Sequence, residues 1–159
     1  MLLEQKLTTQ RIDKHSTEYG LWTRGQLPGQ KTKVSVLDSS VGFVASNIDF
    51  VWRNYKTNEW MLIEEKRYGC QPKPFQYVIY KILDSFSKED IFYKGFHLLI
   101  FEKTNPEDGK MTLNHEPISP NQLVKFLQFK WFSAKDCLEK IKLPDAYKRN
   151  IDDDSDVPF

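Results

Sequence analysis

The sequence predicts an α/β or α+β domain: a central mixed β-sheet flanked by helices. Three stretches carry that reading. Residues 43–67 hold two strand-like runs, FVASNIDFVW and WMLIEEKR, around the polar segment RNYKTNE. From Phe75 the apolar residues Val78, Ile79, Ile82, Leu83 and Phe86 fall at helical spacing, a stripe suited to packing on a sheet. Residues 96–102 (FHLLIFE) are nearly all apolar, as in a strand covered on both faces. Strands followed by a helix and a further strand give a sheet with helices on it.

The remaining elements follow in order. Residues 4–19 read as a weak helix stopped at Gly20. Gly25, Pro28 and Gly29 mark a loop. Residues 31–37 (KTKVSVL) alternate polar and apolar and predict a strand. After the 43–67 hairpin, Gly69, Pro72 and Pro74 break the chain before the helix. PEDG at 106–109 is a turn, and residues 111–114 are a short return strand. Ser119, Pro120 and Gln122 form a cap, a first-turn proline and a capping-box residue ahead of LVKFLQF. Ser133 is placed to begin a last helix, AKDCLEKIKL, ended by Pro144. The organisation expected is one domain over 1–149 and a disordered acidic tail over 150–159.

Composition narrows the function classes. With 159 residues, 40% hydrophobic and 14% aromatic, the chain can bury a substantial core. Neither a membrane-length apolar run nor a signal-peptide core is visible, so the expectation is a cytoplasmic protein of a bacterial or phage-infected cell. Cys70 and Cys137 lack C-x-x-C spacing, which argues against zinc and disulfides. His15, His97 and His115 are scattered, and His97 sits in an apolar run as a packed core or strand-end residue. Four of the 22 acidic residues lie in the last eight positions, DDDSDVPF, leaving 18 acids against 23 bases in the body. A mildly basic body fits nucleic-acid binding.

The candidate chemistry lies in the hairpin. Acid-x-Lys triplets occur three times, at Glu4-Gln5-Lys6, Glu64-Glu65-Lys66 and Asp108-Gly109-Lys110, so the triplet alone has a high false-positive rate. The middle one alone ends an apolar strand beside a strand bearing another acid. Side chains alternate, so Glu64 and Lys66 share a face with Leu62. If residues 55–58 form a four-residue loop, Asn54 pairs with Glu59 and Asp49 falls opposite Glu64. A one-residue slip would separate the acids. Two adjacent carboxylates repel unless a cation neutralises them, and a hard ion such as Mg²⁺ or Mn²⁺ suits oxygen ligands.

A strand bearing Asp49, a strand ending Glu64-x-Lys66, and a helix carrying Gln76 together resemble the PD-(D/E)XK nuclease superfamily over roughly residues 18–102. The resemblance implies a restriction-endonuclease-like sheet and Mg²⁺-dependent cleavage leaving a 5′-phosphate. Asp49, in NIDF rather than PD, and Glu64 match the metal-binding acids. Lys66 matches the catalytic lysine, Gln76 a helix glutamine found in several branches, and Glu18 a first-helix glutamate of some members. In chemical terms, a metal on Asp49, Glu64 and the Glu65 backbone carbonyl supplies Lewis acidity and an activated water. Lys66 would orient that water and stabilise transition-state charge, and Gln76 would hold a water or a phosphate oxygen. Lys31, Lys33, Arg67 and Lys73 are candidates for phosphate contacts.

The end IDDDSDVPF resembles the C-terminal tip of bacterial single-stranded DNA-binding proteins. The terminal Phe159 offers a ring and a carboxylate together, behind Pro158. Asp152, Asp153, Asp154 and Asp156 would add steering toward a protein that captures such tips. The opposite reading folds the tail onto its own basic cleft. Three functions stay open: a DNA nuclease of repair, recombination or phage replication; a non-catalytic nuclease-fold module binding partners of the single-stranded DNA-binding protein; and a nuclease acting on RNA. The size also leaves room for a homodimer.

Overall fold

The computed structural model describes residues 17–147. The chain divides into two compact units, Met1–Ala45 and Ser46–Phe159. The expected helix over 4–19 and the acidic tail lie largely or wholly outside the described residues.

In the first unit a short helix, α1 (Glu18–Thr23), runs straight through Gly20. Thr17 caps it, its hydroxyl accepting the Gly20 amide at 3.0 Å. The stop signal is Gly25, at φ +70°, rather than Gly20. The strand expected over 31–37 does not form. Ser35–Leu37 is a 3₁₀ turn, closed by the Leu37 amide on the Val34 carbonyl, and the Asp38 carboxylate then accepts the Ser40 amide. These local hydrogen bonds compete with extended backbone, and only Val34 of the alternating set is buried.

The second unit is built on a five-stranded mixed sheet in the order β1-β2-β3-β4-β5. The strands are β1 (Phe50–Arg53), β2 (Trp60–Lys66), β3 (Tyr93–Phe101), β4 (Met111–Leu113) and β5 (Glu116–Pro117). β1 and β2 are antiparallel, with Phe50 paired to Ile63 and Arg53 to Trp60. That register continues into the Asn54 amide bond to the Glu59 carbonyl, at 2.9 Å, around a four-residue loop. It is the register the sequence predicts. β2 and β3 are parallel, joined by helix α2 (Pro74–Ser87), while β4 and β5 return antiparallel. Helix α3 (Pro120–Leu127) starts at Ser119 with Gln122 completing the capping box, as expected.

Alternation along β2 sends its residues into two cores. Met61 and Ile63 join Leu99, Phe101, Met111 and Leu113 under Leu123 and Phe126 of α3. Leu62 joins Phe96, Leu98 and Ile100 under Tyr80 of α2 and Leu138. A strand buried on both faces explains why its sequence is an apolar run rather than an alternation.

Two further expectations are corrected. The helix placed from Ser133 is a set of turns: the Ser133 hydroxyl donates to Glu116, and the Asp136 carboxylate accepts the Leu138 amide. These side chains offer the backbone a turn in place of a helix. The inner face of α2 is also different. Phe75, Leu83 and Phe86 are exposed, whereas Tyr80 and Asp84 are buried and Tyr77 packs beside them. Aliphatic spacing misses this face because its apolar surface comes from tyrosine rings. Asp84 and Lys81 are satisfied locally, with the Tyr93 hydroxyl on Asp84 at 2.8 Å and Lys81 on the Leu138 carbonyl at 3.2 Å.

Candidate functional site

The carboxyl end of β2 brings the predicted acids and lysine together on the α2 side of the sheet. Glu64 shares that face with Leu62 and is 2% exposed. Lys66, two residues on, lays its ammonium 2.9 Å from Glu64 Oε1. Glu64 Oε2 is buried and makes no hydrogen bond among the described residues. A buried carboxylate oxygen without a donor is costly, and a cation is one partner that would offset that cost.

Asp49 lies one step before β1, at the position the register sets opposite Glu64. Its Oδ2 accepts the Glu65 amide at 2.8 Å. The carboxylate thereby extends the pairing beyond the last strand residue and fixes the acid at the strand end. Glu65 points away, toward the α3 face, and is paired with Arg67 at 2.9 Å. That partner raises the Arg67 guanidinium above its ordinary value. Glu65 is thus paired with Arg67 and Glu64 with Lys66, while Asp49 accepts the Glu65 amide. The local excess of one negative charge suits a cation.

Sequence reasoning missed Tyr80. Its ring stacks on Phe96, centroids 4.6 Å apart, and its hydroxyl is buried with no hydrogen-bond partner among the described residues. Its ionisation is pushed well above the usual phenol range, first by burial and then by the charge of Glu64, with a smaller push from Asp49. Glu64 and Ser46 lie alongside the hydroxyl, although neither meets it with good hydrogen-bond geometry. The available signal was spacing: Tyr80 follows Gln76 by four residues, and so shares its helix face.

Gln76 has a different task from the one expected. Its Oε1 accepts the Lys73 amide at 2.8 Å and closes the start of α2. Only its amide NH₂ remains to face a ligand. Arg67 and Lys73 flank the connection from β2 to α2, whereas Lys31, Lys33 and Glu18 belong to the first unit. Residues Asp152, Asp153, Asp154, Asp156, Pro158 and Phe159 lie outside the described residues.

A divalent ion can be tested against these groups. Among the described residues no three His, Cys, Asp or Glu side chains converge on one point. Asp49, Glu64 and the Glu65 carbonyl are instead a small, all-oxygen set. That fits Mg²⁺, which binds through one or two carboxylates and keeps several waters. The donorless Glu64 Oε2 is the atom such an ion would satisfy.

His97 is buried away from this end. Its ring clusters with those of Phe126 and Phe132, its Nε2 donates to the Lys94 carbonyl at 2.8 Å, and its Nδ1 meets the Asn114 amide at 3.0 Å. Desolvation lowers its pKa, so it is a neutral core residue, as the sequence suggests. Burial pushes the Cys137 thiol up to about 12, and no disulfide forms between Cys137 and Cys70. No helix among the described residues is long and apolar enough to cross a membrane. No protein-family model matches this chain, and neither a curated protein nor a solved structure shows significant similarity to it.

Proposed function

We propose that the chain is a Mg²⁺- or Mn²⁺-dependent nuclease of restriction-endonuclease-like fold that hydrolyses phosphodiester bonds in DNA. The observation that supports it best is Glu64: a fully buried carboxylate with one oxygen on Lys66, the other without a hydrogen bond among the described residues, and Asp49 in register across the hairpin. The antiparallel β1–β2 hairpin followed by α2 and the parallel strand β3 supports the fold reading.

Each residue has a chemical task in this reading. Asp49, Glu64 and the Glu65 carbonyl hold the ion. Bound there, it would supply Lewis acidity and a water of lowered pKa. The Lys66 ammonium, already beside Glu64, turns to the phosphoryl oxygens and offsets charge that develops on them. The Tyr80 hydroxyl is a neutral donor at any physiological pH, since its ionisation is pushed up. It can hold Glu64 Oε2 or a water in place. Gln76 keeps the helix start rigid behind them. The acidic Pro-Phe end recruits the enzyme to proteins that bind the tip of the single-stranded DNA-binding protein.

The test is a cleavage panel of labelled single-strand, duplex, flap and four-way DNA, and the matching RNA, with Mg²⁺, Mn²⁺ or EDTA. Metal-dependent products ending in 5′-phosphate, lost in Asp49→Asn, support the reading. Cleavage of RNA alone would change the substrate. Binding without cleavage under every metal would leave the non-catalytic module.

A further inference from the structure

Tyr68 follows the candidate site directly, two residues after Lys66. It occupies a backbone conformation that its residue type disfavours. Its φ is +55° and that of Gly69 is +66°. The Cys70 amide closes on the Arg67 carbonyl at 3.1 Å, so Arg67–Cys70 is a tight turn with both central residues left-handed. Asn, Asp or Gly suits the first central position of such a turn, and a bulky aromatic residue there is unusual. Packing does not explain the choice, because Tyr68 is 70% exposed.

The turn is also pinned. The Tyr68 amide donates to the Lys103 carbonyl, and the Gly69 amide donates to the Phe101 carbonyl, each at 2.9 Å. The ring therefore stands on a fixed base at the carboxyl ends of the parallel strands β2 and β3. In open α/β sheets, that is where ligands bind. Glu64 and Glu65, just before Tyr68, are paired with Lys66 and Arg67, and beyond them the chain carries one sign of charge. From Lys66 through Leu83 the sequence holds Lys66, Arg67, Lys73 and Lys81 and no acid.

We infer that Tyr68 is a stacking platform for an unpaired base, and that the substrate presents a single-stranded segment at the Glu64–Lys66 end of β2. This deepens the nuclease reading and rests on it. An exposed, rigidly held ring stacks any base but needs that base splayed out of a duplex. Lys73 and Arg67 meet the adjoining phosphates.

The experiment uses the full chain in EDTA at low salt, with fluorescence anisotropy on labelled oligothymidylate, oligouridylate and a blunt DNA duplex. Three proteins are compared: wild type, Tyr68→Asn and Tyr68→Trp. Asn suits the turn, so Tyr68→Asn should melt at or above the wild-type temperature. It should still weaken single-strand binding on the order of 10-fold, leave duplex binding unchanged, and be matched by retained affinity in Tyr68→Trp. The two single-strand arms decide between DNA and RNA as the source of the base. Equal single-strand affinity in wild type and Tyr68→Asn would overturn the platform while leaving the nuclease reading standing, and so would an equal loss on duplex and single strands. A wild-type protein that binds none of the three probes would overturn both.

Discussion

At the residue scale, the Glu64–Lys66 pair does two things that pull against each other. Among the described residues, Lys66 is the cation paired with a carboxylate that is otherwise buried without a donor. The sequence alone suggests that Lys66→Ala removes turnover and spares the fold. The structure changes that expectation: the variant should also lose about 1–3 kcal/mol of stability, because it strands a buried charge. Chemical denaturation should show the loss, and added Mn²⁺ should restore part of it if the ion binds Glu64. Glu64→Gln should unfold at higher denaturant than Lys66→Ala yet be equally inactive. Tyr80→Phe separates structure from chemistry. Deleting a hydroxyl that makes no hydrogen bond among the described residues should change stability by less than about 1 kcal/mol, and a fall in cleavage rate would then report a direct role at the site.

His97 gives a prediction in pH. Its folded pKa lies below the ordinary value because the neutral ring is buried, and its Nδ1 faces the donor amide of Asn114. The unfolded chain therefore binds a proton that the folded chain refuses. Stability should fall as pH drops below about 6.5, and the fall should level off once the folded ring itself titrates. The hydrogen bond to the Lys94 carbonyl, and then Asp84 and Asp136, partly oppose the shift. A melting-temperature series from pH 8 to pH 5 should slope less in His97→Gln, whose amide can mimic the neutral ring.

At the scale of elements, β3 departs from regular pairing where β2 meets it. Trp60 pairs with Tyr93, but Leu62 pairs with Phe96, so one extra residue sits in β3. Gly95 absorbs it at φ +101°, and a Cβ there would stand 3.2 Å from His97 Nε2. Gly95→Ala should cost about 1–3 kcal/mol in denaturant titrations, mainly by disturbing the His97–Lys94 contact.

The elements also show what the sequence could and could not reveal. The β1–β2 register was legible because a four-residue polar loop leaves little choice and burial fixes the face. The α3 start was legible because its cap signals are local. The inner face of α2 was not, since aromatic rings with buried hydroxyls look polar in a count of aliphatic residues. The turns after Ser133 and the 3₁₀ turn at Ser35 were missed for one reason: Ser and Asp side chains took over backbone hydrogen bonds that the pattern assigned to a helix and a strand. The placement of Asp49, Glu64 and Lys66 at one strand end was legible from the register and the alternation of side chains. Tyr80 became visible only when the fold set its hydroxyl beside Glu64.

At the scale of the whole molecule, both cores and all of Asp49, Glu64, Lys66, Gln76 and Tyr80 fall within the unit that begins at Ser46. A chain starting at Ser46 should therefore fold cooperatively and keep its divalent-ion affinity, as circular dichroism and metal titration would show. The acidic end makes a separate prediction. Removing Pro158 and Phe159 should cost binding to a protein that captures single-stranded DNA-binding protein tips and leave turnover on naked DNA unchanged. A rise in DNA affinity at low salt after truncation would instead support a tail that folds on its own chain.

The central claim is that Asp49 and Glu64 hold one divalent ion beside Lys66, and Mn²⁺ titration followed by electron paramagnetic resonance tests it without reference to any substrate. Mn²⁺ should bind the wild-type chain saturably, be competed by Mg²⁺, and fail to bind either Asp49→Asn or Glu64→Gln while each variant stays folded. Wild-type Mn²⁺ binding that survives both substitutions, or its absence from the folded wild type, would contradict that claim.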